Sequence, residues 1–275
     1  MGWWKTGRID WGLFGFAQLA VVLIMLSTYF AGEYFDYKED FLSFRKGKSK
    51  FAGGSGAIPG GLAVRSAAKL GSIVCLVFAI LVGLIIQFFY RTGPWTIPLG
   101  AIGIIGGVLY STPPVRWVSS GLGELWIGLC YGFLPVAVGF YLATGLFDSL
   151  VFFVGAPIAV TIFNVILANE FPDYESDCAA AKRNLLVRIG RSRGAIIYSS
   201  AVLLSWFFTI LAVWADAPAI VLTYYLIPFG LSAIVGGAFL AGKWRDRQWL
   251  EAMCGLGIVV NLGTTLAFLA AFLKH

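Results

Sequence analysis

Residues 11–40 read WGLFGFAQLAVVLIMLSTYFAGEYFDYKED, an apolar run that passes directly into a cluster of four carboxylates. Its apolar part, 11–31, is long enough to cross a bilayer as a helix, which takes about 20 residues. The acidic part begins where that span ends, at Glu33, Asp36, Glu39 and Asp40. The arrangement recurs once: the apolar stretch 148–169 leads to Asp173-Tyr-Glu-Ser-Asp177. Together the two clusters hold half of the 14 acidic residues in the chain. Carboxylates at a membrane boundary are costly unless they face a cavity, a partner or a metal.

Composition sets the background for these clusters. Of 275 residues, 59% are hydrophobic and 12% charged, and the mean hydropathy is +0.84. A soluble domain carries about 25% charged residues, so the chain reads as an integral membrane protein in a lipid bilayer. Its net charge of +6 comes from basic residues flanking spans, which excludes nucleic acid as the natural partner. Cys75, Cys130, Cys178 and Cys254 lack metal-ligand spacing. Three lie in apolar stretches and Cys178 in an expected loop, so neither a zinc site nor a disulfide framework is implied.

Eight stretches qualify as spans: 11–31, 69–90, 94–111, 122–144, 148–169, 195–214, 217–241 and 252–273. The expectation is an all-α polytopic bundle of eight transmembrane helices forming a single membrane domain over 1–275. Residues 11–31 are too long for the apolar core of a cleaved signal peptide, about 7–15 residues. Loops 32–69, 112–121, 170–194 and 242–251 share one side and hold 16 of the 20 Lys and Arg residues. That asymmetry makes their side cytoplasmic, so both acidic clusters face the cytoplasm, the membrane is the cell inner membrane, and both termini lie outside. Glycines at short intervals, such as Gly103 with Gly107 and Gly128 with Gly132, suit close helix packing. Pro135, Pro157 and Pro228 lie inside spans, where kinks would open an internal cavity. Nothing in the sequence specifies an oligomeric state.

Glu33, Asp36 and Asp40 are spaced i, i+3, i+7 and share one face of a continuous helix. Asp173 and Asp177 do the same at i, i+4, with Asn169 one turn earlier. Hard oxygen donors on two facing helix ends suit Mg²⁺, which takes one or two carboxylates and completes its shell with phosphate and water. Without a cation, such close carboxylates repel and take up protons. Basic residues trail each cluster: Arg45, Lys46, Lys48 and Lys50 after the first, Lys182 and Arg183 after the second. Acid, metal and base together form a cradle for a diphosphate. Tyr110-Ser-Thr-Pro-Pro-Val-Arg116 ends a span on the same side, and its prolines force a sharp exit. Tyr110 and Arg116 then border one mouth, with Tyr110 either bonding a phosphate oxygen or anchoring at the interface.

With these motifs the chain resembles a UbiA-type intramembrane prenyltransferase. Gly32-Glu33-Tyr-Phe-Asp36-Tyr-Lys-Glu-Asp40 is similar to that superfamily's first aspartate-rich motif, N-D-x-x-D-x-x-x-D, and Asp173-Tyr-Glu-Ser-Asp177 to its second, D-x-x-x-D. Phe51-Ala-Gly-Gly-Ser-Gly56, Tyr110-Ser-Thr-Pro-Pro114, Gly121-Leu-Gly-Glu124 and Lys182-Arg-Asn-Leu-Leu-Val-Arg-Ile-Gly190 resemble the MenA-like branch, which prenylates 1,4-dihydroxy-2-naphthoate in menaquinone biosynthesis. The resemblance covers nearly the whole chain. It implies a Mg²⁺-dependent transferase that moves a polyprenyl group from a polyprenyl diphosphate to an aromatic acceptor. Glu33, Asp36, Asp40, Asn169, Asp173 and Asp177 are its implied metal ligands, with Asp36, Asp40, Asp173 and Asp177 the catalytic core. Lys50, Tyr110, Lys182 and Arg183 are implied to hold diphosphate. Ring faces among the 44 Phe, Trp and Tyr residues would shield a carbocation-like prenyl group.

Two departures stand against the pattern. Gly32-Glu33 replaces the usual Asn-Asp pair, so position 32 supplies no side chain. The resemblance also implies nine spans with motifs after the second and sixth, whereas here they follow the first and fifth. The expectation is a nine-helix fold lacking its first helix, through a start placed downstream or a shortened protein. Rival acceptors within the superfamily are homogentisate, an ether-lipid precursor and a chlorophyll precursor. Outside it, the rival is a cation-coupled transporter, which would place its carboxylates near the bilayer midplane.

Overall fold

The computed structural model describes residues 1–45, 50–51 and 54–274. Lys46 and Lys48, both expected in the first basic run, lie outside the described residues, as do Ala52 and Gly53 of the glycine-rich segment.

A short α1 (Gly2–Thr6) precedes α2 (Trp11–Phe35), whose start is fixed by Asp10: its Oδ1 accepts the Leu13 N–H at 2.9 Å. That bond satisfies one of the free donors of the first turn. After α3 (Tyr37–Arg45) come α4 (Arg65–Phe88) and α5 (Thr96–Ser111). Then α6 (Gly123–Ile127), a π-helical segment (Gly128–Phe133) and α7 (Leu134–Thr144) form one continuous rod. Asp148 caps α8 (Ser149–Ala179) by accepting the Leu150 N–H at 2.9 Å. The remainder comprises α9 (Leu185–Ile189), α10 (Arg191–Trp214), α11 (Val221–Tyr224), α12 (Leu226–Leu240) and α13 (Arg247–Lys274).

Every expected apolar stretch falls on a helix. Among the described residues, six helices are long and apolar enough to cross a membrane: α2, α4, the Gly123–Thr144 rod, α8, α10 and α13. The stretches at 94–111 and 217–241 give the shorter apolar helices α5 and α12, the latter parted from α11 at Tyr225. Outward-facing side chains are apolar as well: Leu70, Phe78 and Phe88 of α4 are each more than half exposed. In water such a surface would aggregate, but in hydrocarbon it is the expected exterior.

The hub is α8, which packs against α3, α10, α13 and the Gly123–Thr144 rod. In its apolar window 61% of residues are buried, against 11% for α2. Phe163, Leu167 and Phe171 of α8 join Tyr198 of α10, Phe239 of α12 and Met253 of α13 in one core. Glycine makes the approach to the π-helical segment possible. A Cβ on Gly132 would lie 2.4 Å from the Ala159 Cα, closer than atoms can pack. Gly100, Gly230 and Gly237, by contrast, would meet nothing within 4 Å, so helix packing does not explain them. A small, mainly apolar pocket lies among α8, α10, α12 and α13, lined by Thr161, Asn164, Tyr198, Val202, Ser232 and Val260.

Two expectations at the motifs need correction. The span predicted to end at 169 continues as helix to Ala179, with Pro172 inside it. Asp173, Asp177 and the exposed Cys178 therefore ride on α8 and not in a loop. In the first motif the continuous helix is interrupted: Asp36 is the C-cap of α2 and α3 begins at Tyr37. The i, i+3, i+7 face is thus split across a break, and the turn there brings Glu39 inward, 7% exposed.

Candidate active site

At the bend between α2 and α3 the Asp36 backbone stays in the helical ladder, its N–H donating to the Gly32 carbonyl at 2.8 Å and its carbonyl accepting the Asp40 N–H at 3.0 Å. Its carboxylate accepts Ser111 Oγ at 2.5 Å and Arg116 Nη2 at 2.6 Å. Arg116 also reaches Glu39 Oε1 at 3.2 Å. It does so from the left-handed backbone region, φ +44°, which disfavours a side-chain-bearing residue. The two ion pairs offset that cost. Arg116 thus lies against Asp36, while Tyr110, in the last turn of α5, is buried within electrostatic range of Glu170, Glu124 and Asp36. Glu33 accepts the Ser55 N–H from the glycine-rich segment. Gly54 lies against Asp40, at φ +68°, and a Cβ there would overlap the Asp40 carboxylate at 2.3 Å.

The second motif is held locally. Asp177 is 3% exposed and accepts Asn184 Nδ2 at 2.8 Å. Lys182 Nζ lies 3.6 Å from its other oxygen. Asn184 in turn caps α9 by accepting the Val187 N–H at 2.9 Å. Glu175 points outward to Arg191 at 3.2 Å.

A direct bond ties α3, just past the first motif, to the second motif: Ser43 Oγ donates to Asp173 Oδ1 on α8 at 2.8 Å. The electrostatics confirm that they share one space. Burial first, and then the neighbouring Asp36, Glu33 and Asp173, push the Asp40 carboxyl up to about 7, with Lys182 opposing. For Lys182, burial alone would favour loss of the proton. The carboxylates of Asp177, Asp36, Glu170 and Asp173 outweigh it and hold the ammonium above its ordinary range.

Asn169 places a buried Oδ1 with no hydrogen-bond partner on the same end of α8. Among the described residues, no three acidic, histidine or cysteine side chains converge closely enough to hold a metal ion unaided. Lys50, Arg45 and Arg183 are exposed. Arg45 lies over the Phe41 ring, and the Arg183 carbonyl accepts from Arg188. Sequence reasoning passed over Glu39, Ser43, Ser111 and Asn184, and over Glu124 and Glu170. For the last two a signal was present: each is a lone carboxylate beside or within an apolar run.

The family model of the UbiA prenyltransferase family matches residues 1–256. A 1,4-dihydroxy-2-naphthoate octaprenyltransferase of Mycobacterium tuberculosis is 29% identical over 266 residues, covering 94% of this chain and 82% of that protein. The protein of the same description from Bacillus subtilis is 25% identical over 237 residues, covering 83% and 72%. A solved structure described as digeranylgeranylglyceryl phosphate synthase in membranes superimposes with a TM-score of 0.57 over 95% of this chain and 94% of that one. At 16% identity that likeness speaks to fold alone. With the family match reaching from the first residue into the last long helix, this multi-pass membrane chain belongs to the UbiA prenyltransferase family and is a prenyltransferase.

Proposed function

We propose that the protein transfers a polyprenyl group from a polyprenyl diphosphate to 1,4-dihydroxy-2-naphthoate, with Mg²⁺ at the paired motifs. The observation that carries this reading is the Ser43–Asp173 bond, which brings both acidic motifs to one space with Arg116 and Lys182 at its edges. The naphthoate acceptor is supported by the relatives named for that substrate. Six long and two short apolar helices support eight spans in one prenyltransferase domain. The Lys and Arg asymmetry supports a cytoplasmic mouth in the inner membrane.

The donor set suits the cation. It offers only hard oxygens, one of them the unpartnered Asn169 Oδ1, and burial, aided by the neighbouring carboxylates, raises the Asp40 carboxyl to about 7. An incomplete protein shell is what Mg²⁺ uses when phosphate and water supply the rest. Asp36, Asp40, Asp173, Asp177, Asn169 and Glu33 would hold it, and bound there it neutralises charge developing on the diphosphate. Lys182 and Arg116, preorganised by carboxylates, stabilise the departing diphosphate oxygens. The prenyl C1–O bond breaks, an electron-rich ring carbon bonds C1, and the ring gives up a proton. Apolar helices take the tail and exclude water, which would otherwise capture the allylic cation.

Membranes carrying the protein should move a labelled prenyl group onto dihydroxynaphthoate with Mg²⁺ and not in excess chelator. Asp36→Ala and Asp173→Ala should each abolish transfer. Full activity in either variant, or under chelation, would refute the metal-diphosphate mechanism, whereas product on another acceptor alone would refute only the naphthoate assignment.

A further inference from the structure

Pro172 stands inside α8, directly before Asp173 of the second motif. Proline has no N–H, so it offers no donor to the Ala168 carbonyl four residues back, and its ring crowds that oxygen. Ala168 is 0% exposed, so water cannot serve the carbonyl instead. A buried carbonyl that loses its helix donor must find another or carry the cost. In membrane helices a neighbouring helix can supply the replacement. Here α13 does so: Cys254 Sγ donates to the Ala168 carbonyl at 3.4 Å. Cys254 is itself 0% exposed and shares a core with Leu167, Ala168 and Phe171 of α8.

The place of this bond gives it a second consequence. The helix bond that Pro172 removes would have closed the turn containing Asn169, and Asp173 and Asp177 follow that turn. A helix bends where such a bond is missing. The setting of the last turns of α8 therefore depends on what holds the freed carbonyl from outside. Ser43 of α3 holds Asp173 itself, but nothing in that bond fixes Asp173 relative to Asn169. We propose that Cys254 is a positioning residue for the acidic end of α8. Its thiol replaces the bond lost at Pro172 and sets Asn169 and Asp173 in register for the cation. The thiol serves only as a donor, and no chemistry passes through it. This rests on the reading above that Mg²⁺ binds at the paired motifs.

The test is a cycle of full-length proteins: wild type, Cys254→Ala, Pro172→Ala and the double variant. Pro172→Ala returns an N–H to the Ala168 carbonyl, after which the thiol has nothing to replace. Two quantities are read for each protein. One is the Mg²⁺ concentration for half-maximal prenyl transfer. The other is the rise in thermal midpoint that Mg²⁺ with inorganic diphosphate produces in detergent. Cys254→Ala should raise the Mg²⁺ requirement about two- to tenfold in the wild-type background and leave it unchanged beside Pro172→Ala. Cys254→Ser, which keeps a donor, should behave as wild type. An equal effect of Cys254→Ala in both backgrounds overturns the inference, because a lost packing contact behaves that way. So does a serine variant as impaired as the alanine one, or an alanine variant with an unaltered Mg²⁺ response. A wild type unresponsive to Mg²⁺ in both measurements overturns the metal reading and this inference with it.

Discussion

Asp36 caps the end of a span whose apolar window is 11% buried, whereas Asp177 lies in the last turn of one that is 61% buried. Both carboxylates are closed by a cation and a neutral donor, but from different distances along the chain. Asp36 draws on Ser111 and Arg116, 75 and 80 residues away. Asp177 draws on Lys182 and Asn184, at most seven residues away. The first motif is therefore assembled by tertiary structure, and the second is built into the hub helix and the turn that follows it. Damage to the second should cost stability as well as activity. Damage to the first should appear mainly as weaker donor binding.

The largest test of that contrast pairs Lys182→Met with Arg116→Met. Removing Lys182, whose side chain is 17% exposed, strands a carboxylate in the interior, a loss of about 3 kcal/mol. It also removes a preorganised donor to the diphosphate, lowering turnover about 100-fold. Arg116 is more exposed, at 29%, and Asp36 keeps its bond from Ser111 when Arg116 is lost, so the cost should be smaller, about 1–2 kcal/mol, while the donor KM rises. Thermal midpoints in detergent, read beside transfer kinetics, check both. Equal destabilisation by the two variants would erase the distinction.

A smaller effect is expected at the junction. Ser43 is 7% exposed and donates directly to Asp173 of the second motif. A hydrogen bond to a charged group is worth about 1.5–3 kcal/mol. Ser43→Ala should therefore lower the thermal midpoint by a few degrees and raise the Mg²⁺ concentration for half-maximal transfer several-fold. Unchanged Mg²⁺ dependence would mean that α3 and α8 are aligned by packing alone.

Hydropathy made the helices legible because crossing hydrocarbon leaves the backbone few choices. It ended α8 ten residues early because Asn169, Glu170, Pro172 and the carboxylates that follow lower the local hydropathy. In the fold these groups are carried by Ser43, Lys182 and Asn184. The acidic clusters were legible as a charge anomaly. Their internal geometry was not, since Asp36 is closed by Ser111 and Arg116 from a distant turn. Glu39 stands three residues after Asp36 and shares its helix face, but it falls outside the N-D-x-x-D-x-x-x-D spacing and so was not singled out as a ligand. Glu124 and Glu170 were hidden for a different reason: the cost of a lone buried carboxylate was weighed for clusters and not for single residues.

The smallest and most specific test is at Gly32, where the family pattern has asparagine and this chain has no side chain. Gly32 lies in the last turn of α2, directly before Glu33. A Cβ built there would lie 3.7 Å from Ser111 Oγ and 3.9 Å from Asp36 Oδ2, ordinary contact distances. Gly32→Asn should thus be accommodated, and exchanging glycine for asparagine in a helix gains a few tenths of a kcal/mol. The new amide oxygen would stand beside Asp36 as another hard donor. Half-maximal Mg²⁺ should fall modestly while turnover stays near wild type. If turnover collapses instead, the space beside Asp36 belongs to the bound diphosphate. The first motif would then work through Ser111 and Arg116, where the family pattern places an asparagine.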